Sequence, residues 1–309
     1  MSCWNGNFAK YYEAVTLDGI PHDYTIFDLP IVRSDHTNRN RRICFSLFVD
    51  ALSLVLLFAT IGIFYFLPSR TFYFTLSDPA LMYPLLPSKI PSLYMWIINW
   101  IIPSALLTFS ELCIFGRRKW NIIYVGKAYI ECMTLSVFSS ALFWLLYPSP
   151  RPNFYAVCQP SADSMIPING IFYTMQACQG TIDSEIINGF PSGHASTAFA
   201  SWTFVSLYFI ARLKPFEGTG HLWKVVLCII VPISICTWVS VTRVTDFHHF
   251  VVQVLFGAIF GILGAILAYR LNHIEAFWNL QGHITIGIFW NAKYKNNTAA
   301  TVPFSAVSV

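Results

Sequence analysis

The feature that most restricts this chain is a series of six apolar runs, each about the length a helix needs to cross a bilayer. They cover about Ile43–Phe66, Ser92–Phe115, Ile122–Tyr147, Ala195–Leu213, Lys224–Val241 and His249–Tyr269. A backbone surrounded by hydrocarbon must satisfy its own hydrogen bonds, so isolated apolar runs of this length are expected to be helical. Composition agrees, with 55% hydrophobic and only 11% charged residues among 309. The sequence therefore predicts an all-α integral membrane protein with six transmembrane helices. Its expected parts are a cytoplasmic N-terminal tail (1–42), a six-span domain (43–270) and a cytoplasmic C-terminal tail (271–309).

Basic residues set the sidedness. Arg39, Arg41 and Arg42 precede the first run, Arg117-Arg118-Lys119 follow the second, Arg212 and Lys214 follow the fourth, and Arg270 ends the sixth. Alternating spans put all of these on one side, which the positive-inside rule makes cytoplasmic. Of the 19 lysines and arginines, only Arg70, Lys89, Arg151 and Arg243 fall on the other side. Both termini are thus expected in the cytoplasm, in an endomembrane or the plasma membrane. About 42 mostly polar residues precede the first run, so no removed signal peptide is expected. There is no long basic run or nucleic-acid module, so no nucleic acid partner is expected. Oligomeric state is not legible.

Several smaller features have ordinary readings. Asp50, near the cytoplasmic end of the first run, is expected to face a helix neighbour. Gly282–Trp290 is apolar but too short to span, and suits the membrane surface. The sequon Asn296-Asn297-Thr298 falls on the cytoplasmic side and should be unused. The eight cysteines show no metal-ligand spacing, but Cys158 and Cys178 share the long outer loop Pro148–Phe190. A disulfide there is expected, with two free thiols as the alternative.

Chemistry concentrates at the outer ends of the spans, where the sequence places a site facing the lumen or exterior. Gly189-Phe190-Pro191-Ser192-Gly193-His194 opens into the fourth run. With Pro191 as first helical residue, the small residues after it leave amides open to an anion, with His194 above it. Arg151-Pro152 follows the third run, and Arg243, His248 and His249 bridge the fifth and sixth. Singly, these are ordinary interfacial anchors. Together, Arg151 and Arg243 can hold phosphoryl oxygens, with the amides of Ser192 and Gly193 as neutral donors. His249 can attack phosphorus and His194 can protonate the departing alkoxide. No metal or other cofactor is required.

The order Arg151-Pro152, Pro191-Ser192-Gly193-His194, then Arg243 with His249 six residues on resembles the signature of the type 2 phosphatidate phosphatases, also called lipid phosphate phosphatases. The likeness runs from about Ile43 to Arg270 and includes Asp78-Pro79, Tyr83-Pro84, Cys158 and Cys178. The resemblance implies six spans and a metal-independent, outward or lumenal site hydrolysing a lipid phosphate monoester or diphosphate. Arg151, Ser192, Gly193 and Arg243 would hold phosphate, His249 would be the nucleophile and His194 the acid.

Three positions depart from that pattern. Trp144 stands where the family has a lysine, Thr242 replaces the usual serine, and Gln253 stands where the family has an aspartate. Lys127 is too far along the third helix to replace the lysine, 17 helical residues being roughly 25 Å. Gln253, one turn from His249, can accept a hydrogen bond from the imidazole but cannot supply charge; polar contact between helices is its plainer reading. Asp246 is close enough in sequence to be considered as a substitute. If Gln253 only positions His249, Gln253→Asp should raise turnover and Trp144→Lys should strengthen phosphate binding. The alternative is a catalytically impaired relative that binds anionic lipid or a partner.

Overall fold

The structure is a computed structural model, and it describes residues 36–67, 71–114, 119–161, 167–180, 184–216 and 221–272. Most of the expectations for the two tails, and those for Arg117-Arg118, Gly282–Trp290 and the Asn296 sequon, lie outside these residues. The chain divides into two units, 51–283 and 1–50 with 284–309; of the second, only the helix beginning at His36 is described.

The described residues are mostly helical. Six long helices follow in order: α1 His36–Phe66, α2 Ser92–Ile114, α3 Lys119–Leu146, α4 Gly193–Leu213, α5 Leu222–Thr245 and α6 Val251–Asn272. Among the described residues, four stretches are long and apolar enough to cross a membrane: Ser92–Ile114, Ile122–Leu146, Leu222–Thr245 and Val251–Asn272. Helix α1 contains the first predicted run, Ile43–Phe66, and helix begins earlier than predicted, so that Arg39, Arg41 and Arg42 are helical.

Two helices carry prolines that their own ladders cannot accommodate as regular α-helix. Proline lacks an amide hydrogen and crowds the carbonyl four residues back. The turns before Pro103 in α2 and Pro232 in α5 widen into π-helix at Ile97–Ile101 and Val226–Ile230. Such widening relieves the clash while the helix continues.

Helix α4 is the centre of the bundle, packed against α3, α5 and α6. Its polar residues are spent on neighbours rather than exposed. Ser196 Oγ meets Ser136 Oγ at 2.7 Å, Thr197 Oγ1 accepts from Asn99 Nδ2 at 3.3 Å, and Ser201 Oγ meets Tyr129 Oη at 2.8 Å. This explains why α4 is less apolar than its neighbours although its interior is well buried. Against it lies a glycine face of α6, where a Cβ at Gly257 or Gly261 would collide with the backbone of Ser192, Ser196 and Ala200. Small residues four apart let two helix backbones approach closely.

The loops 71–91 and 148–192 join into a cap at one end of the bundle. Tyr73–Phe74 pairs antiparallel with Tyr173–Thr174, and Cys158 is disulfide-bonded to Cys178, as expected. Phe74, Leu81, Phe154, Ala177, Ile186 and Ile187 form the cap's own small core. The Tyr155 hydroxyl donates to the Thr75 carbonyl, and the Tyr83 amide donates to Pro152 O at 3.2 Å. The first loop is thereby tied to the segment that follows Arg151.

Candidate active site

The site begins at the N-terminus of α4. Phe190 anchors the approach by packing against Phe143, Tyr147 and Phe256, at centroid distances of 5.6, 5.7 and 5.1 Å. The helix starts later than predicted: Ser192 is the N-cap and Gly193 the first helical residue, so Pro191 lies before the cap. The Ser192 amide donates to Gln253 O at 3.0 Å. That amide is therefore committed and cannot serve as the anion donor expected of it. Ser192 Oγ is buried and has no hydrogen-bond partner among the described residues. The first intrahelical bond is Ser196 N–H to Ser192 O at 2.9 Å, so the amides of Gly193, His194 and Ala195 have no intrahelical acceptor. Together with the helix dipole they give an end whose chemistry suits an anion.

Trp144 closes one side of this end. Its indole N–H donates to Pro191 O at 3.0 Å, and its six-membered ring lies 3.1–3.2 Å from where a Cβ on Gly193 would stand. An apolar wall bonded to a backbone carbonyl thus occupies the place where the resemblance expects a lysine.

His249 lies in the turn between α5 and α6, since α6 begins at Val251 rather than at His249 as predicted. It is 4% exposed. Its Nδ1 is 3.0 Å from Gly189 O and 3.2 Å from Gln253 Oε1. The orientation of the Gln253 amide is fixed by its other partners. Oε1 accepts from the Phe250 amide at 3.0 Å, while Nε2 donates to Pro150 O at 2.9 Å and Ser149 Oγ at 3.0 Å. Both neighbours of His249 Nδ1 are consequently carbonyl oxygens. Nδ1 must carry the hydrogen, and in the neutral ring the lone pair is on Nε2.

Gln253 also knits the segments together. Its side chain reaches Ser149 and Pro150 beside Arg151, and its backbone carbonyl holds Ser192. Gly189 completes the junction by donating to Ser149 O at 2.8 Å. A Cβ there would fall within 3 Å of Gln253 Nε2 and the carbonyls of Ser149 and Pro150, so only glycine fits.

The arginines approach from two directions. Arg151 is held by its own amide on Ile186 O at 3.1 Å, and its guanidinium lies 3.5 Å from the Glu185 carboxylate. Arg243, 2% exposed, donates to Ser88 Oγ at 2.8 Å and to Thr242 Oγ1 at 3.1–3.2 Å, and lies 3.6 Å from Asp246. Asp246 does not substitute for a carboxylate at position 253, because its oxygens are taken by Lys89 and Arg243. His194 Nε2 and His248 Nε2 are both buried without a hydrogen-bond partner among the described residues, and the backbone of Ile90 lies within hydrogen-bonding reach of the His194 ring.

Burial and charge together set the protonation of the loop residues. Burial pushes His249 well below the usual histidine range, and the fields of Arg151 and His194 add to this, against the opposing bonds to Gln253 and Gly189. His248 is lowered by burial and by Arg151 and Arg243, against the opposing charge of Asp246. Asp246 goes the other way: burial alone would raise it, but the Lys89 amide and ammonium, with Arg243, hold it below the usual carboxylate range.

The structure thus brings Arg151, Ser192, Gly193, His194, Arg243, His249 and Gln253 to one end of the bundle. Sequence reasoning gave no role to Ser88, Lys89 or Ser149, and quoted Gly189 only as the start of its motif. Lys89 had a signal, being one of four basic residues on the outer side. The other three act through oxygen atoms or through lack of a side chain, and carry no such mark.

Open helix amides with two arginines and two histidines, gathered at one end of an apolar helical bundle, mark a class of membrane protein. Residues 126–275 match the sequence pattern of the PAP2 superfamily. The chain is 30% identical over 241 residues to a probable diacylglycerol pyrophosphate phosphatase 1 of Schizosaccharomyces pombe, covering 74% of this chain and 83% of that protein. It is 38% identical over 126 residues to lipid phosphate phosphatase 1 of Arabidopsis thaliana, 39% of this chain and 36% of the relative. A PA-phosphatase related-family protein of Dictyostelium discoideum is 28% identical over 240 residues, and the chain spans 65% of its length. No solved structure matches. The chain belongs to the PAP2 superfamily.

Proposed function

We propose that this protein is a six-span integral membrane phosphatase that removes phosphate from a lipid phosphate monoester or diphosphate, using His249 as nucleophile and no metal. The observation that carries this reading is the tautomer of His249: with Nδ1–H given to Gly189 O and Gln253 Oε1, the nucleophilic lone pair is on Nε2. Relatives named as lipid phosphate and diacylglycerol pyrophosphate phosphatases support the substrate class. Besides the four helices already apolar enough to span, α1 and α4 complete six. The 21 residues of α4 extend about 31 Å, matching the hydrocarbon core.

In the first step His249 Nε2 attacks phosphorus, the P–O bond to the lipid breaks, and His194 gives a proton to the departing alkoxide. In the second, water attacks phosphorus as His194 takes its proton, the P–N bond breaks, and orthophosphate leaves. Arg151, Arg243, the amides from Gly193 onward and the Ser192 hydroxyl hold the equatorial oxygens through both steps. The lipid chains remain in the bilayer.

A second reading has its own observation: Trp144 and Gln253 are each built into backbone contacts where the family signature has charges. On this reading the chain binds anionic lipid or a partner without turnover. Hydrolysis of phosphatidate, lysophosphatidate and diacylglycerol diphosphate by purified protein, abolished by His249→Ala, selects the enzyme. Phosphate release equal to that variant's on every substrate selects the binder. With both termini cytoplasmic, terminal tags in sealed cells should be protected from added protease and a tag in the 162–166 segment cleaved; termini on opposite sides would sink the six-span topology.

A further inference from the structure

The segment Ser88-Lys89-Ile90, at the end of the first loop, touches the site from a side that the sequence motifs do not mark. Ser88 Oγ accepts from Arg243 Nη1 at 2.8 Å. The Lys89 amide donates to Asp246 Oδ2 at 2.8 Å, and its ammonium lies 3.1 Å from Oδ1 while donating to Thr245 Oγ1 at 3.2 Å. The loop is held in this register from outside, because Tyr83 stacks on Phe247 at 4.7 Å and bonds Pro152.

Asp246 is a difficulty for a phosphate site. Its carboxylate side chain is 2% exposed and stands 3.6 Å from the Arg243 guanidinium. A buried carboxylate so placed repels an incoming phosphate dianion and competes with it for the arginine's donors. Lys89 occupies both oxygens of that carboxylate with two separate donors, one of them charged. The lysine side chain itself is 62% exposed, so its effect runs through Asp246 rather than through packing.

We propose that Lys89 is a positioning residue of the phosphate site: by holding both oxygens of Asp246 it keeps that carboxylate from competing with substrate phosphate for Arg243. This rests on Arg243 binding phosphate as proposed above. Loss of the lysine charge should therefore weaken substrate binding and leave the chemical step alone. Removing the Asp246 charge as well should undo the damage, since nothing then needs neutralising.

The test uses the full chain, reconstituted, with one lipid phosphate and four variants: Lys89→Met, Lys89→Arg, Asp246→Asn and the double change Lys89→Met with Asp246→Asn. Lys89→Met should raise KM about tenfold with kcat within about twofold, and Lys89→Arg should stay within about twofold of the unaltered protein. Asp246→Asn and the double variant should have the same KM within about twofold, because the two sites couple. An unchanged KM in Lys89→Met, a fall in kcat alone, or a double variant as impaired as Lys89→Met would each overturn the proposal. If the unaltered protein hydrolyses no lipid phosphate, the activity reading fails by itself. The same proteins titrated with inorganic phosphate should then show the same order of dissociation constants, and equal constants would overturn the role of Lys89.

Discussion

The two ends of the helical bundle handle charge differently. At the end opposite the site, charges are matched within the protein. Glu111, 1% exposed, receives Arg212 and the Tyr208 hydroxyl, and Lys127 bonds Glu131 at 3.0 Å and Asn272 at 3.0 Å. At the site end, Arg243 faces a buried carboxylate that Lys89 already holds, Arg151 lies 3.5 Å from the exposed Glu185 carboxylate, and Ser192 Oγ, His194 Nε2 and His248 Nε2 are buried with no partner among the described residues. Buried polar groups in a folded protein are normally satisfied. An end that matches its charges serves stability, whereas buried polar atoms left without a protein partner suit the phosphate ligand proposed above.

The sharpest way to break this contrast is to cut one residue from each end. His249→Ala should lower lipid phosphate hydrolysis by about four orders of magnitude, by analogy with other enzymes that lose a nucleophile or its activator, with folding retained. Glu111→Ala should do the reverse. It strands Arg212 and should cost about 3 kcal/mol of stability while the folded fraction keeps its turnover. Rates per folded molecule and thermal unfolding in the same detergent check both halves, and loss of turnover in folded Glu111→Ala would show that the two ends are not separate in function.

How much of this was legible follows from the same contrast. The apolar runs and basic clusters made the helical architecture readable, because the bilayer leaves few alternatives. The motif residues of the site could be read because charged groups at the edges of apolar runs need a reason. What could not be read was the partner of each group. Gln253 looks like a weakened substitute in sequence, but its usefulness lies in Nε2, which bonds the Pro150 carbonyl and Ser149. Trp144 looks like a missing charge and proves to be a wall bonded to Pro191 O. Ser192 was expected to offer its amide, which a contact from the sixth helix had already taken. Those outcomes depend on pairings 47 to 104 residues apart, which local spacing does not carry.

The hydrogen bonds of Gln253 favour a loss of turnover in Gln253→Asp over the gain expected from charge alone. A carboxylate at 253 has no hydrogen to give, so it would face the Pro150 carbonyl with repulsion in place of a bond, and it is one methylene shorter. The junction that positions His249, Ser149 and Ser192 would loosen. On the order of a hundredfold loss in kcat is expected, comparable with losing a positioned general base or acid, while Gln253→Glu, which keeps the length, should lose less. Steady-state rates for both variants measure this; a gain in Gln253→Asp would mean that charge matters more at this position than the bond to Pro150.

The smallest expected effect concerns pH, and it separates the ends without disturbing either. His249 is held well below the ordinary value of 6.5, chiefly by burial. A lowered pKa means that the folded protein binds fewer protons than the unfolded chain, so His249 contributes no penalty above 6.5 and progressively destabilises the fold as pH falls below it. For activity the consequence is favourable: the attacking imidazole is already neutral, and kcat/KM should not fall with His249 protonation until pH is clearly below 6.5. The substrate phosphate titrates near the same range, so the informative quantity is the displacement between variants on one substrate. Gln253→Met removes a bond that favours the protonated ring and leaves only Gly189 O. Its acid limb should move to lower pH, by less than one unit for a single exchanged hydrogen bond. Glu111→Gln, at the other end, should leave the limb in place. A limb that moves upward in Gln253→Met, or moves equally in both variants, would show that the limb does not report the His249 contact inferred from its tautomer.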